Sequence, residues 1–331
     1  MRRNMRSSHQ TRLIRILMTA AAITIAGISL GSAGEETQAP SQIEVVNTTS
    51  ASTGERFEGY LFKDVDGQPL PFQSDQEIES FLKSAEVESI TKIPVGVTRP
   101  KKVLLIRETL RLNAVFKYID EEKQMVRDPT TTGRGKLYLK WRDSYIYDIA
   151  AYQVDRLMGL DRVPPIVLRK IKGNPGSLQI WVEDTITENM RREEAFDLPE
   201  IARFNQQRST MILFDNLVAN RDSNLGNTLI DGRWRLWFID CSRCFGSSAD
   251  LLYPDAVTHC DRQVWDALRK LDRSAADESL SPYLSRLEID VLFKRRDKLV
   301  DLLQARIDEW GEELVLFDQR PPTETAPWIR E

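Results

Sequence analysis

Histidine is nearly missing from this chain of 331 residues, which holds only His9 and His259. Cysteine is almost as scarce, with Cys241, Cys244 and Cys260. Cys241-Ser-Arg-Cys244 has CxxC spacing, but no second CxxC exists, so a zinc site would have to gather all three cysteines and His259. Acid is absent before Glu35, where five arginines (Arg2, Arg3, Arg6, Arg12, Arg15) flank the run "ILMTAAAITIAGISLG". At about 16 residues that run is short for a membrane span and suits a signal-peptide core, with "GSA" at 31–33 offering cleavage after Ala33. The expectation is a signal peptide, or else an uncleaved signal anchor. Either places the remainder outside the cytoplasm, and only the second attaches it to a membrane. A basic surplus is also missing. Taking those five arginines from 46 Lys and Arg leaves 41 against 50 Asp and Glu, a net of −9, which argues against a nucleic-acid binder. In an exported chain a disulfide is the natural use of cysteine, and a bridge from Cys241 or Cys244 to Cys260 is expected ahead of zinc.

No internal repeat is present. Residues 34–57 are rich in Ser, Thr, Glu and Ala without periodicity and read as a flexible tether. From 86 to 120, Val and Ile alternate with polar residues in "VESITKIPVGV", "KKVLLIRETL" and "LNAVFKYID", a strand pattern with a turn at Thr98-Arg-Pro100. A polar loop is expected over 121–136, then a helix from about Ser144 to Leu160 with Ile146, Ile149, Ala150, Val154, Leu157 and Met158 on one face. Two more strands, "PPIVLRKIKG" and "GSLQIWVED", complete a mostly antiparallel sheet of about five strands with one helix. Thereafter the spacing is helical: "PEIARFNQQRSTMILFDNLVAN", "CDRQVWDALRKL" and "SRLEIDVLFKRRDKLVDLLQARIDEWGEEL". The sequence thus predicts an α+β fold with a sheet-rich part over 58–183, a helix-rich part over 184–331, and a cleft between them suited to a nucleotide.

The stretch "NRDSNLGNTLIDGRWRLWFIDCSRCFG" carries the chemistry. Asn227 follows Asp222 by five residues, and Asp240 stands thirteen residues further on, at the end of an apolar run. Phosphoryl transfer needs a carboxylate to orient the acceptor hydroxyl, oxygen ligands for Mg²⁺ and a lysine on the nucleotide phosphates. Asp222-x-x-x-x-Asn227, then a hairpin turning at Asp231-Gly232 and ending at Asp240, supplies those oxygens at a suitable spacing. Upstream, "AVFK" places Lys117 on a strand with Ala114 and Val115 beneath the expected adenine. Asp215, inside "MILFDNL", is positioned to brace the loop that carries Asp222.

Together these segments resemble the atypical kinases of the secretory pathway, the Golgi casein kinase and four-jointed type. They are also similar to type II phosphatidylinositol 4-kinases and the HipA toxin kinases of the same clan. The resemblance covers roughly residues 110–275. "AVFK" looks like the clan's A-[LV]-F-K-P strand, and "DIAAYQVDRLMGLDRVPP" like the secretory kinases' E-[IV]-A-A-F-x-L-D-R helix with its V-P-P turn. "GSLQIWVED" resembles the lipid kinases' strand into the hinge, "FDNLVANRDSNLGNTLI" their catalytic loop, and "FIDCSRCFG" the D-N-G-x-[GA]-F metal motif. "LLYPDAVTHC" echoes I-L-x-P-L-x-Q-C, which implies an oxidised Cys260.

The resemblance implies a two-lobed kinase-like fold and ATP with Mg or Mn as cofactors. Asp222 would be the catalytic Asp, Lys117 the phosphate-binding lysine and Asp148 its helix partner. Asn227 and Asp240 would be the metal ligands, and Val182 and Glu183 the adenine-contacting hinge. The expected partner is a protein acceptor with Ser or Thr, with a lipid acceptor or an inactive kinase-fold binding module as alternatives. Four departures stand out. Asp148 is one methylene shorter than the family's Glu, predicting a looser or water-bridged pair with Lys117. Tyr118 replaces Pro, Ser223 follows Asp222 where Arg is usual, and Cys241 replaces Asn. The turn at 96–102 has one glycine, so phosphate cover from it is expected to be weak.

Overall fold

The computed structural model describes residues 62–94, 99–123, 126–127, 137–138, 141–320 and 324–329. The apolar arginine-flanked segment and the 34–57 tether lie outside them, as do residues 96–98 of the turn at 96–102. No helix among the described residues is long and apolar enough to cross a membrane.

Five strands form one antiparallel sheet: β1 (Glu86–Lys92), β2 (Lys101–Arg107), β3 (Leu110–Lys117), β8 (Ile166–Ile171) and β9 (Asn174–Ile180), in the order β1-β2-β3-β9-β8. Side chains alternate across it. Val103, Leu105, Leu112, Ala114 and Phe116 enter one core together with Ile78, Phe81 and Leu82 of a helix, α1 (Asp75–Ser84). That helix adds to the elements read above. It starts with a capping box, in which Ser74 accepts from Glu77 N and the Glu77 carboxylate accepts from Ser74 N. Where a polar loop is expected, β4 (Asp120–Lys123) pairs with β7 (Trp141–Ser144), and β5 (Val126–Arg127) with β6 (Leu137–Tyr138). The rest of that loop, over 128–136, lies outside the described residues.

Ser144 ends β7 and caps α2 (Tyr145–Leu157), its hydroxyl accepting from Ile146 N at 3.2 Å. α2 contacts β8 and β9 yet buries Ile149, Ala150 and Val154 in the core of the helix-rich part, so it belongs structurally to both halves. Past Glu183 the chain runs through β10 (Ile186–Thr187) and α3 (Glu188–Glu193) into α4 (Ile201–Val218). β11 (Thr228–Ile230) and β12 (Leu236–Phe238) form the expected hairpin, but its turn is not the tight Asp231-Gly232 pair. Asp231 is buried and organises a wider loop, its Oδ1 accepting from Arg233 N and Arg235 N and its Oδ2 from Trp237 Nε1.

A short parallel pair, β13 (Cys260–Asp261) with β14 (Leu316–Phe317), and helices α5 (Arg262–Lys270), α6 (Arg273–Leu280), α7 (Arg286–Trp310) and α8 (Glu312–Val315) complete the chain. The last long helix stops at Gly311, whose φ of +93° favours glycine. The cysteine bridge does not form. All three thiols are free and buried, Cys241 and Cys244 being hydrogen-bonded to each other while Cys260 Sγ turns to the Asp261 carbonyl.

The end of α4 fixes the loop that follows it. Ala219 terminates the helix in the left-handed region at φ +53°. The buried Arg295 of α7 donates to Leu217 O, Gly246 O and Ser248 O, joining that helix end to the segment beyond Asp240. Asp215 braces the loop as expected, accepting from Asn220 Nδ2 at 2.8 Å and Ser223 Oγ at 2.5 Å. Burial pushes the Asp215 carboxyl up to about 6, against the pull of Ser223 and Asn220.

Two predictions follow from these contacts. A Cβ on Gly176 would land on the Lys117 carbonyl oxygen and the Phe116 ring. Gly176→Ala is therefore expected to destabilise the protein by roughly 1–3 kcal/mol, read from the denaturant midpoint. For Asp215 the folded pKa is raised, so its contribution is present below the unfolded value and lost as pH rises through about 6. Wild type should gain on Asp215→Asn by roughly 2–3 kcal/mol as pH falls from neutral to about 4; a pH-independent difference would contradict this.

Candidate active site

β3 delivers Lys117 to the point where the sheet meets α2 and the end of β12. Its ammonium donates to both oxygens of Asp148 on α2, at 3.2 and 3.1 Å, and to Asp240 Oδ1 at 2.7 Å. The shorter Asp148 side chain therefore reaches Lys117 directly, and the looser or water-bridged pair does not occur. The closeness of α2 to the end of β12 makes up the missing methylene, since Asp148 Oδ1 also accepts from Cys241 N at 2.8 Å. Burial works against the ammonium, but Asp148 and Asp240 outweigh it and hold Lys117 above its ordinary pKa. Burial raises Asp148, opposed by Lys117. It acts the same way on Asp240, where Lys117 prevails and holds the carboxyl below its usual range.

Asp240 itself sits at φ +61°, an uncommon conformation for a residue with a side chain. The register of the hairpin fixes its neighbour: Thr228 pairs with Phe238, and Ile239 N donates to Asn227 O at 3.2 Å. Asn227 Nδ2 donates to the Asp222 carbonyl at 2.9 Å, so its amide oxygen points away from that bond. Asn227 and Asp240 thus offer an amide oxygen and a carboxylate, hard donors suited to Mg²⁺ or Mn²⁺. Among the described residues no group of three or more His, Cys, Asp or Glu could hold a metal ion, and His259 instead bonds the Thr258 hydroxyl.

Asp222 lies in the loop between α4 and β11. Its Oδ1 accepts from Asn224 Nδ2 at 2.9 Å and its Oδ2 from Arg243 Nη1 at 2.8 Å. Burial raises its pKa, with Arg243 pulling the other way. Arg243 was not singled out from the sequence, although it fills the variable position of the metal motif. It also donates from Nε to Asp143 Oδ2 at 2.8 Å.

The alternation of β3 corrects one expectation. Ala114 is wholly buried in the core with α1, whereas Val115 lies on the opposite face of the strand with Asn113 and Lys117. Across the sheet Lys102 Nζ lies 4.3 Å from the Trp181 ring centroid. Val182 is buried beside Trp237, and its carbonyl accepts from Thr185 Oγ1 at 3.0 Å. The Glu183 carboxylate accepts from Asn113 Nδ2 at 2.7 Å. These two residues therefore sit where β9 leaves the sheet, apart from the charged cluster.

No family model matches the sequence, and no curated protein matches it either. Solved structures do match. A hydra Fam20, solved with sugar, superposes with a TM-score of 0.54 at 16% identity, covering 75% of this chain and 94% of that one. The Golgi casein kinase superposes with a TM-score of 0.54 at 15% identity over 74% of this chain and 80% of that one. Its complex with Mn/ADP gives 0.51 at 14% identity, over 75% and 80%. The chain has the α+β fold of these atypical kinases, with a five-stranded antiparallel sheet set against helices.

Proposed function

We propose that the chain is an exported phosphotransferase that uses ATP with Mg²⁺ or Mn²⁺ to phosphorylate Ser or Thr hydroxyls of proteins. The observation that carries this is the Lys117 ammonium, 2.7 Å from Asp240 and 3.1 Å from Asp148, with Asn227 and Asp222 on the adjoining loop. Lys117 holds the nucleotide phosphates, and Asp148 keeps its charge in place. Asp240 and Asn227 take the divalent ion, and in the resting protein the Lys117 ammonium already supplies positive charge at Asp240 Oδ1. Asp222 accepts the hydrogen bond of the acceptor hydroxyl and orients its attack. Bound in the cleft, metal–ATP supplies the phosphoryl group and neutralises the charge that develops as it leaves.

The adenine is taken at the segment 182–183. The Glu183 side chain is held by Asn113, so recognition there falls to backbone groups. The Golgi casein kinase solved with Mn/ADP supports the choice of nucleotide and metal. A protein acceptor is favoured over an inositol lipid because α4 carries only two basic residues, Arg203 and Arg208, and Arg203 is buried on the carbonyls of Arg320, Arg233 and Trp234. Export rests on the arginine-flanked apolar run at the N-terminus.

The test is incubation of the purified protein with labelled ATP, Mg²⁺ or Mn²⁺, and mixed protein and lipid acceptors. Label is expected in Ser or Thr of protein, with Asp222→Ala and Lys117→Met each lowering kcat about a hundredfold or more. Label found only in lipid would move the acceptor class. Nucleotide binding without transfer would make the chain a binding module, and no binding of metal nucleotide in calorimetry would end the reading altogether.

A further inference from the structure

One cation in the cleft has no part in the roles given above. Arg243 stands three residues past Asp240, with 13% of its side chain exposed. Its guanidinium joins two carboxylates that come from different halves of the protein. Nε donates to Asp143 Oδ2 on β7 at 2.8 Å, and Nη1 donates to Asp222 Oδ2 at 2.8 Å. Asp143 is 5% exposed in its side chain, and its other oxygen is buried and accepts no hydrogen bond among the described residues. Its charge is therefore balanced through the oxygen that Arg243 holds. Buried polar groups are nearly always hydrogen-bonded, so a carboxylate held through one oxygen only depends heavily on that one partner. The position of Asp143 is itself fixed, because the next residue, Ser144, caps α2 and its N–H donates to the Ser242 carbonyl at 2.9 Å.

The geometry points to Arg243, anchored by Asp143, as a positioning residue that sets the plane of the Asp222 carboxylate for the acceptor hydroxyl. This rests on the phosphotransferase reading. A carboxylate turns easily about its last torsion, for which the preferred wells are broad. Asn224 fixes one Asp222 oxygen and Arg243 the other, so the plane is held from both sides. Each oxygen keeps a second lone pair, and that is what an incoming hydroxyl needs. Guanidinium suits the task because its rigid, planar fork directs each N–H along a set line, whereas an ammonium would swing between the two carboxylates.

The decisive experiment combines kinetics with nuclear magnetic resonance. Arg243→Met is expected to lower kcat about 10- to 100-fold while leaving KM for ATP within about twofold, because Arg243 hydrogen-bonds neither Lys117 nor the proposed hinge and acts on Asp240 only as the weakest of its charge partners, behind Lys117. Arg243→Lys should recover part of the loss, having the charge without the fork. Asp143→Asn should lower kcat in the wild-type background and have little further effect in Arg243→Met, since Asp143 acts through Arg243. An unchanged kcat in Arg243→Met, a parallel rise in KM, or full additivity of the two substitutions would each overturn the proposal.

A second measurement holds if a variant fails to fold. In ¹⁵N-arginine spectra of the unliganded wild type, the Arg243 side-chain N–H groups should be slowed in exchange and rotation, and Asp222→Ala, which removes the acceptor, should release the Nη end. Rapid rotation in the wild type would refute the tether. Absence of any phosphoryl transfer by the wild type would instead remove the phosphotransferase reading, leaving the tether to be decided by the spectra alone.

Discussion

A single buried ammonium sets the terms for the cleft. Lys117 is brought in by a strand of the sheet, met by Asp148 from α2 and met again by Asp240 from the end of the hairpin. Removing the lysine would leave two neighbouring buried carboxylates uncompensated, a loss of the kind that costs about 3–5 kcal/mol. Three elements that share no local sequence are thus obliged to arrive at one point. Asp148 tightens the constraint because the same carboxylate also accepts from the Cys241 backbone. The helix therefore registers both the lysine and the chain that leaves Asp240. The uncommon φ of Asp240 is tolerated because the surroundings over-determine it.

The charges on either side of this point repeat one pattern. Lys117 lies between Asp148 and Asp240, and Arg243 lies between Asp143 and Asp222. In each case one carboxylate comes from the neighbourhood of the α2 start and the other from a loop of the helix-rich part. Asp143 and Asp148 bracket the N-terminus of α2, so this helix end acts as a common ruler for both ion-pair clusters. A small shift of α2 would disturb both pairs together. It is held against shifting by its own burial in the core of the helix-rich part and by the Ser144 to Ser242 backbone bond.

Much of the framework could be read from the sequence, because it follows from periodicity. The five strands, α2 and the helices after Pro199 are where alternation and helical spacing put them. Lys117, Asp148 and Asp240 were singled out from motif spacing, and the structure brings these three into contact. What was not legible depends on burial. Asp231 looked like half of a tight Asp-Gly turn, but its carboxylate is buried and bonds Trp237, which widens the loop. Ala114 and Val115 are adjacent letters facing opposite sides of a sheet. α1 carried a readable signal in Ser74 and Glu77 ahead of Ile78, Phe81 and Leu82. The Arg243 to Asp143 pair spans a hundred positions, and no local pattern announces it.

The departures from the family pattern bear on whether the cleft can work, and each has a local explanation. Asp148 is short but lies close enough to hold the ammonium with both oxygens. Cys241 replaces an Asn, yet the group the site uses at that position is the backbone N–H, which any residue supplies; the thiol turns inward to Cys244. Ser223 replaces an Arg after Asp222 and hydrogen-bonds Asp215, bracing the same loop by another route. Each departure is thus absorbed by contacts close to it, and both buried cations keep two carboxylate partners: Lys117 holds Asp148 and Asp240, and Arg243 holds Asp143 and Asp222.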